Sequence, residues 1–512
     1  MTVDITTAGA ALLVYQYAAH EVSMRSTLLL PLSLAACMNA GMDGKDTASG
    51  VDDSGGPDDT GDTGDSATPE VCGYTPMPDL DAAPDVVEVD LTASALEWDP
   101  GTGVPLVAGM AFNGSVPGPV LEAKLGDTVK VHFTNDLDIE MTIHWHGLRV
   151  TPEMDGIMQM MGDPIEPGES FEYEFPVVDT GFYWFHTHMD TATTIEAGLY
   201  APILFHAPDE VAPDCDQPMV LDDLLLDEDT RQIAPPDTDM MQLMGRLGNV
   251  LMVNGRSDRS YAWTKGQTTL WRVVNASNAR YWDLYLEGHQ LTVVGTDGGF
   301  LAVPYSVDDL VVAPGERYMV VVEASGEPGE RYRLMNKRFQ LHEEGGDMVE
   351  GDPMGDGDNP VATVVYGEGE TTGTGWTQPA PDVPGWGAPV ENLGHHWLLE
   401  EDMMGGTVTI DGATWPDVPM VDVAMNVDTM FEVENASEMH HPFHIHGNRF
   451  QVVDVGGEPV PAGQGWKDTF DIPPRTTVTV VSALDNPGEW MYHCHILEHA
   501  DDGMAGLMTV EE

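Results

Sequence analysis

The segment Tyr492-His493-Cys494-His495-Ile496-Leu497-Glu498-His499, followed by Gly503-Met504, constrains this chain more than any other. A β-strand turns successive side chains to opposite faces, so His493 and His495 point one way and Cys494 the other. One short segment can then serve two metal centres back to back, with two imidazoles for one and a thiolate for the other. His499 and Met504 follow on the Cys494 side once the chain turns. Two His, one Cys and a weak axial Met make the ligand set of a blue-copper electron-transfer site. The segment supplies the Cys, one His and the Met, so a second His must come from elsewhere. A buried Cys between two ordinary histidines is the plain alternative. Three more paired-histidine segments weigh against it: His144-Trp145-His146-Gly147, His186-Thr187-His188 and His441-Pro442-Phe443-His444-Ile445-His446-Gly447. Ten of the 18 histidines lie in these four segments, which core packing does not explain.

The charge balance excludes some partners. There are 86 acidic residues against 20 basic, a net charge of −66, which argues against nucleic acid and anionic membrane surfaces. Residues 38–70 carry nine acidic side chains and one Lys, so the folded body is itself acidic. Solubility in a saline medium accounts for this more simply than a cation-attracting surface. The run from Met24 to Cys37 has a basic start, a short apolar core and small residues before the Cys. That is a secretory signal, and Leu34-Ala35-Ala36-Cys37 resembles a bacterial lipoprotein box. Residues 1–37 are therefore expected to be a leader with its true start at Met24 and Cys37 lipidated; an ordinary signal peptide with a chance Cys is the alternative. The expected location is the cell envelope, periplasmic or cell-surface, with membrane contact only through that anchor. Four cysteines are too few for a disulfide scaffold. With Cys494 a ligand and Cys37 in the leader, Cys72 and Cys215 are left as a candidate disulfide in an oxidising compartment.

Residues 38–72 are rich in Asp, Gly, Ser and Thr and read as an acidic, disordered linker. From about Val86 the chain turns to short β-type runs split by Gly, Pro, Asn and Asp, a pattern of β-sandwiches. An internal repeat organises them. Strand-like runs end at Asn135, Asn275 and Asn435, and nine residues beyond these stand His144, Leu284 and His444. Five residues after Gly181, Gly329 and Gly488 come His186, Leu334 and His493. Three copies of one sandwich are therefore expected, at 73–207, 208–368 and 395–512, with 369–394 a connector. The middle copy has apolar or neutral residues where the others have histidines.

In order, H-x-H-G, H-x-H, H-P-x-H-x-H-G and H-C-H-x₃-H-x₄-M, the four segments resemble the pattern of the multicopper oxidases, the family of laccases, bilirubin oxidases and cuprous oxidases. All four are complete, and the resemblance covers about residues 85–512. It implies an all-β fold of three consecutive cupredoxin-like Greek-key β-sandwich domains. It also implies four copper ions, one type 1, one type 2 and two type 3. The type 1 site falls to His441, Cys494 and His499 with Met504 axial. Carried over by position, His144 and His444 hold the type 2 copper. His146, His186 and His495 hold one type 3 copper, and His188, His446 and His493 the other. Domain 1 has Thr187, Met141 and Ala192 where a second blue site would need Cys494, His441 and His499. That disfavours a two-domain copper nitrite reductase.

The resemblance implies that a donor passes single electrons to the type 1 copper through an exposed edge of His441 or His499. Cys494, bonded to both His493 and His495, links that copper to a cluster reducing O₂ to water. Asp155 matches the family's acidic proton relay, an Asp-Gly turn being the plain alternative. Asp468, in Trp466-Lys467-Asp468-Thr469, matches a motif that supports the ligands from behind. Several bacterial relatives carry Glu directly after the last type 1 His. Here that residue is Ala500, leaving Glu498, Asp501 or Asp502 as substitutes.

The donor is expected to be a phenol or aromatic amine, as in laccases, oxidised by a monomer. The alternative is a cuprous oxidase. Thirty methionines include Met154, Met158, Met160 and Met161, then Met240, Met241 and Met244, then Met403 and Met404. Thioethers suit Cu(I), and Glu438 and Met439 immediately precede the type 1 region as candidate Cu(I) contacts. Methionine as core filler is the plain reading, and the acidic region 340–358 holds only Met348 and Met354. A non-catalytic copper-binding envelope protein of the same fold is the rival class. It would have lost ligands, and here every one is in place.

Overall fold

The computed structural model describes residues 69–511 apart from 104–105, 209, 228, 235–238, 342–352, 356, 372–375, 382–389, 403–405, 462 and 464. The leader with Cys37, most of the linker, and Met348, Met403 and Met404 lie outside the described residues. No helix among the described residues is long and apolar enough to cross a membrane.

Alternation writes the sheets. Thr128–Asp136 and Thr429–Asn435 bury every second side chain, so Val129, Val131 and Phe133 in one and Phe431 and Val433 in the other face a core. Each pairs in parallel with an earlier strand, Val86–Trp98 and Leu393–Asp402 respectively. Thr268–Asn275 repeats the pairing in the middle of the chain with Cys215–Leu224. It is buried on both faces, because a strand of the first sandwich, Gly181–Thr187, packs on it. Six sheets result, two for each of three sandwiches. Each sandwich closes over a core of its own, with Phe133, Trp145 and Phe185 in the first, Trp271, Trp282 and Val320 in the second, and Trp397, Phe443 and Tyr492 in the third. The protein is all-β, three cupredoxin-like sandwiches in a row.

The repeated Asn has one structural job done three times. Asn135 donates from Nδ2 to the carbonyls of Ile139 (2.8 Å) and Ile165 (2.9 Å) and accepts from Leu137 N–H (3.1 Å). Asn275 does the same with Arg280 (2.7 Å), Val312 (2.9 Å) and Ser277 (2.9 Å). Asn435 repeats it with Met439 (2.7 Å), Ile472 (2.8 Å) and Ser437 (2.9 Å). All three are fully buried. A short amide with two donors and one acceptor fits this corner, and an apolar residue would orphan three buried backbone groups. In the first and third sandwiches the chain leaving this corner leads straight into the His144 and His441 strands.

The end of the expected linker is ordered. Glu70–Val71 adds a parallel edge strand to Arg259–Lys265 of the middle sandwich, Glu70 pairs with Arg259, and Cys72 is disulfide-bonded to Cys215. Likewise the strands Asn359–Glu370 and Leu393–Asp402 reach slightly into the expected connector. Pairing to an available sheet edge overrides the polar composition there.

Replacing Asn275 by Ala removes three buried hydrogen bonds, and is expected to cost about 3 kcal/mol. A urea unfolding midpoint equal to that of the unmodified chain would contradict the corner's role.

Candidate metal centres

Strand pairing sets the histidines opposite one another. Ile143–His146 runs antiparallel to Gly181–Thr187, with His144 across from His186. His441–Ile445 runs antiparallel to Gly488–Cys494, with His444 across from His493 and Phe443 across from Cys494. Three of these strands are buried throughout rather than alternately, and Gly488–Cys494 is so at its ligand end. One face meets its own core, and the other meets the partner sandwich. There the rings interleave, with His144 stacked on His446 and His146 on His444, both at 3.8 Å.

The ligand atoms converge in the expected sets. His146, His186 and His495 bring their ligand nitrogens within 4.8 Å of one another, as do His188, His446 and His493, and His144, His146 and His444. The thiolate set does the same, with Cys494 Sγ 3.5 Å from His441 Nδ1 and 3.6 Å from His499 Nδ1. Met504 is fully buried in the same core, and its carbonyl accepts from Cys494 N–H (3.1 Å).

Partners behind the rings fix which nitrogen turns inward. His144 Nδ1 donates to Asp155 O (2.9 Å), His186 Nδ1 to Thr187 O (2.8 Å), His444 Nδ1 to Asp468 O (2.9 Å) and His493 Nδ1 to Cys494 O (2.8 Å). His446 Nδ1 meets Asp155 Oδ2 at 2.8 Å. His146 is reversed: its Nε2 meets Asp468 Oδ1 (3.1 Å) and Thr469 Oγ1 (3.0 Å), and its Nδ1 turns in. Several inward nitrogens have no adequate protein partner. His146 Nδ1, His186 Nε2 and both nitrogens of His495 are buried without any. His144 and His444, each already donating to a carbonyl, point bare Nε2 lone pairs at each other across 3.5 Å. A metal cation satisfies such a set, and imidazole suits copper. Copper therefore fits the residues present.

Burial, aided by the neighbouring imidazoles, holds His146, His186, His188, His444, His446 and His495 well below the ordinary histidine range. Burial brings His493 down to about 4. The same desolvation pushes the Cys494 thiol up, a cost that a bound metal removes by stabilising the thiolate.

The expected acidic residues fall in distinct places. Asp155 is buried between His144 and His446, and burial raises its carboxyl against the pull of His144. Asp468 stands behind His146 and His444. Glu498 lies at a buried junction, where Asn278 Nδ2 donates to it (2.7 Å) and Arg246, which also pairs with Glu196, approaches to 3.7 Å. Asp501 is taken by the backbone N–H of Thr191 and Ala192 and by the Thr191 hydroxyl, fastening the helix Leu497–Asp501 to Thr191–Glu196. Met439 packs fully buried beside Phe443, and Glu438 is exposed and paired with Arg475.

One expectation is corrected. Neither His441 nor His499 has an exposed edge; both are 0 % exposed. His499 Nε2 donates to Leu243 O (3.0 Å) on the helix Asp239–Met244, which the middle sandwich lays across it. His441 Nε2 is covered by Ser437 Oγ (3.0 Å) and lies 3.8 Å from Glu401, whose carboxyl burial pushes up to about 7. Sequence reasoning also missed Arg317, which grips Asp468 with two bonds of 2.5 Å. Glu401 lies in an ordinary alternating strand and carries no motif. Arg317 had a signal, in that it follows the turn of the repeat that lacks ligands.

The multicopper oxidase family models match residues 97–210, 214–368 and 395–512, and the chain belongs to that family. It is an oxidoreductase that carries copper and uses O₂ with a reducing substrate. Among its relatives, a multicopper oxidase of Mycobacterium tuberculosis is 28 % identical over 444 residues, covering 79 % of this chain and 83 % of the relative. Laccase-1 of Cryptococcus neoformans is 26 % identical, covering 78 % and 76 %. The crystal structure of a laccase from Pediococcus acidilactici is 27 % identical with a TM-score of 0.74, covering 87 % of this chain and 94 % of that one.

Copper binding needs neutral imidazole. An ordinary histidine set would lose metal as pH falls through about 6.5. Burial lowers the seven groups named above, so their neutral form persists through that range; that of His493 is lost only as pH approaches and passes about 4. Copper retained per chain after dialysis should be unchanged from neutral pH to about pH 5; loss centred near about 6.5 would contradict the burial argument.

Proposed function

We propose that the chain is a laccase-like oxidase of phenols or aromatic amines, with a trinuclear copper cluster between the first and third sandwiches and a type 1 copper in the third. The observation that carries this is the convergence of eight imidazoles, from both sandwiches, with inward nitrogens of His146, His186 and His495 left without a protein partner. When bound, copper supplies one-electron oxidation of the donor at the Cys494 site and four-electron reduction of O₂ to water at the cluster. The residues of the chain do the rest. His441, Cys494 and His499 would hold the first metal, with the buried Met504 thioether as a further ligand. His144 and His444 hold the type 2 copper, and the two His trios hold the type 3 pair. Cys494 is peptide-bonded to His493 and His495, giving the two centres a short covalent connection. Asp155 orients His446 and His144 and stands where it can hand protons to the cluster.

Met439 supports a phenolic donor, since it packs into the core rather than presenting its thioether. So do the relatives named laccases, and a laccase-like oxidase from Ochrobactrum sp., 27 % identical with a TM-score of 0.72, described as acting on lignin model compounds. A second reading, cuprous oxidase, is favoured by one feature. The helix whose Leu243 carbonyl covers His499 also carries Met241 and Met244, both half-buried. We further propose export to the cell envelope as a lipoprotein anchored at Cys37. The Cys72–Cys215 disulfide supports an oxidising compartment.

Oxygen uptake with a dimethoxyphenol, and separately with chelated Cu(I), separates the donors. Fast phenol-driven uptake that ignores added copper is the expected result. Phenol turnover only when copper is added would replace it with the cuprous reading. His495→Ala should abolish O₂ reduction with either donor, and an active variant would overturn the cluster assignment.

A further inference from the structure

Each sandwich has a tight turn just after the carbonyl that its repeated Asn holds. In the first this is Glu166-Pro167-Gly168, in the second Ala313-Pro314-Gly315, in the third Pro473-Pro474-Arg475. The third residue has positive φ in all three, +81°, +83° and +53°. The turns are pinned alike, with Asn135, Asn275 and Asn435 N–H donating to the carbonyls of Glu169, Glu316 and Thr476. In the two ligand-bearing sandwiches this turn faces outward. A Cβ on Gly168 would meet nothing within 4 Å, and the Arg475 side chain is exposed.

In the middle sandwich the same turn is driven into the cluster. A Cβ on Gly315 would lie 2.9 Å from the ring of His495. Neither nitrogen of that ring has a protein partner, so contact with the backbone of Gly315 is part of what fixes its plane. Two residues on, Arg317 is wholly buried. It spends its donors on Asp468 Oδ1 and Oδ2 (2.5 Å each), Phe182 O (3.3 Å), Gly315 O (3.2 Å) and Asp297 O (3.2 Å). Asp297 in turn accepts from the backbone N–H of Asp468 and Thr469. Asp468 Oδ1, so held, takes Nε2 of His146, whose Nδ1 turns inward. His146 and His495 belong to the same converging trio.

We infer that turn 313–317 of the middle sandwich, which contributes no ligand set among the described residues, is the template for one copper of the cluster. It sets His495 by packing and His146 through the Arg317–Asp468 fork. A planar guanidinium is suited to this, because its two parallel bonds leave a carboxylate one orientation. The repeat without ligands of its own is thus a positioning element for those of its neighbours. This rests on the cluster reading above.

The test uses the copper-loaded full chain with Gly315→Ala, Arg317→Met and, as control, Gly168→Ala. The control places the same methyl at the same positive φ in the outward-facing copy of the turn. Copper per chain, the blue band and the fraction of copper visible by electron paramagnetic resonance are measured for each. Gly315→Ala and Arg317→Met are expected to keep the blue band but make copper of the normally silent type 3 pair visible. Turnover should fall about 10–100-fold with the donor KM unchanged. Gly168→Ala should leave the silent fraction as in the unmodified chain. A silent fraction unchanged in Gly315→Ala, or perturbed equally in Gly168→Ala, would overturn the template, and either result can be read even if Arg317→Met does not fold. If the unmodified chain shows no silent pair, the cluster reading fails instead.

Discussion

Eight imidazoles meet at one dry interface, and the rest of the architecture answers to that. Each ring has two nitrogens, and in six of the eight the chain partners the outer one. Burial and mutual repulsion disfavour protonating seven of the eight rings, so the bare lone pairs facing one another are suited to a metal cation. The sandwiches that carry these rings are well packed on their own account. Their contact surface is the part of the structure that protein atoms do not complete. A folded chain of this kind is therefore organised toward metal, and it gives up some of its own hydrogen bonding to be so.

The groups behind the rings decide how precisely that demand is met. Asp155, the carbonyls of Thr187, Asp468 and Cys494, and the Asp468 carboxylate each dictate which nitrogen turns inward. Asp468 is itself held by Arg317 and Asp297 of the middle sandwich. The outer nitrogens of the Cys494 site are closed off too, His499 by a helix of the middle sandwich and His441 by Ser437 and Glu401. The sandwich without ligands thus touches both centres. Its burial on both faces along Thr268–Asn275 follows from being wedged against its neighbour.

Much of this was legible. Four spaced histidine motifs on strands of period two place the ligands, and the Asn repeat counts the sandwiches. The triple coincidence of Asn135, Asn275 and Asn435 has a physical basis in identical cradles, which is why it survives where the ligands do not. Less legible was the strand at Glu70–Val71. Polar composition there reads as linker, whereas an open sheet edge and a disulfide recruit it. Glu401 and Arg246 gave no sign, since a charged residue in a strand or loop ordinarily faces water.

The sequence by itself determined the chemistry, because ligand identity depends on residue type and local spacing, and both are written in the chain. It determined the number of sandwiches for the same reason, since a strand and its corner are local structures. Tertiary structure alone decided which nitrogen of each ring is used, that His441 and His499 are covered, and that Gly315 and Arg317 press on the cluster. Those facts depend on how three sandwiches dock, and docking joins side chains up to 336 residues apart, as between Arg149 and Asp485. No local pattern encodes such a pairing; it exists only once apolar faces and buried charges from distant segments have been brought together.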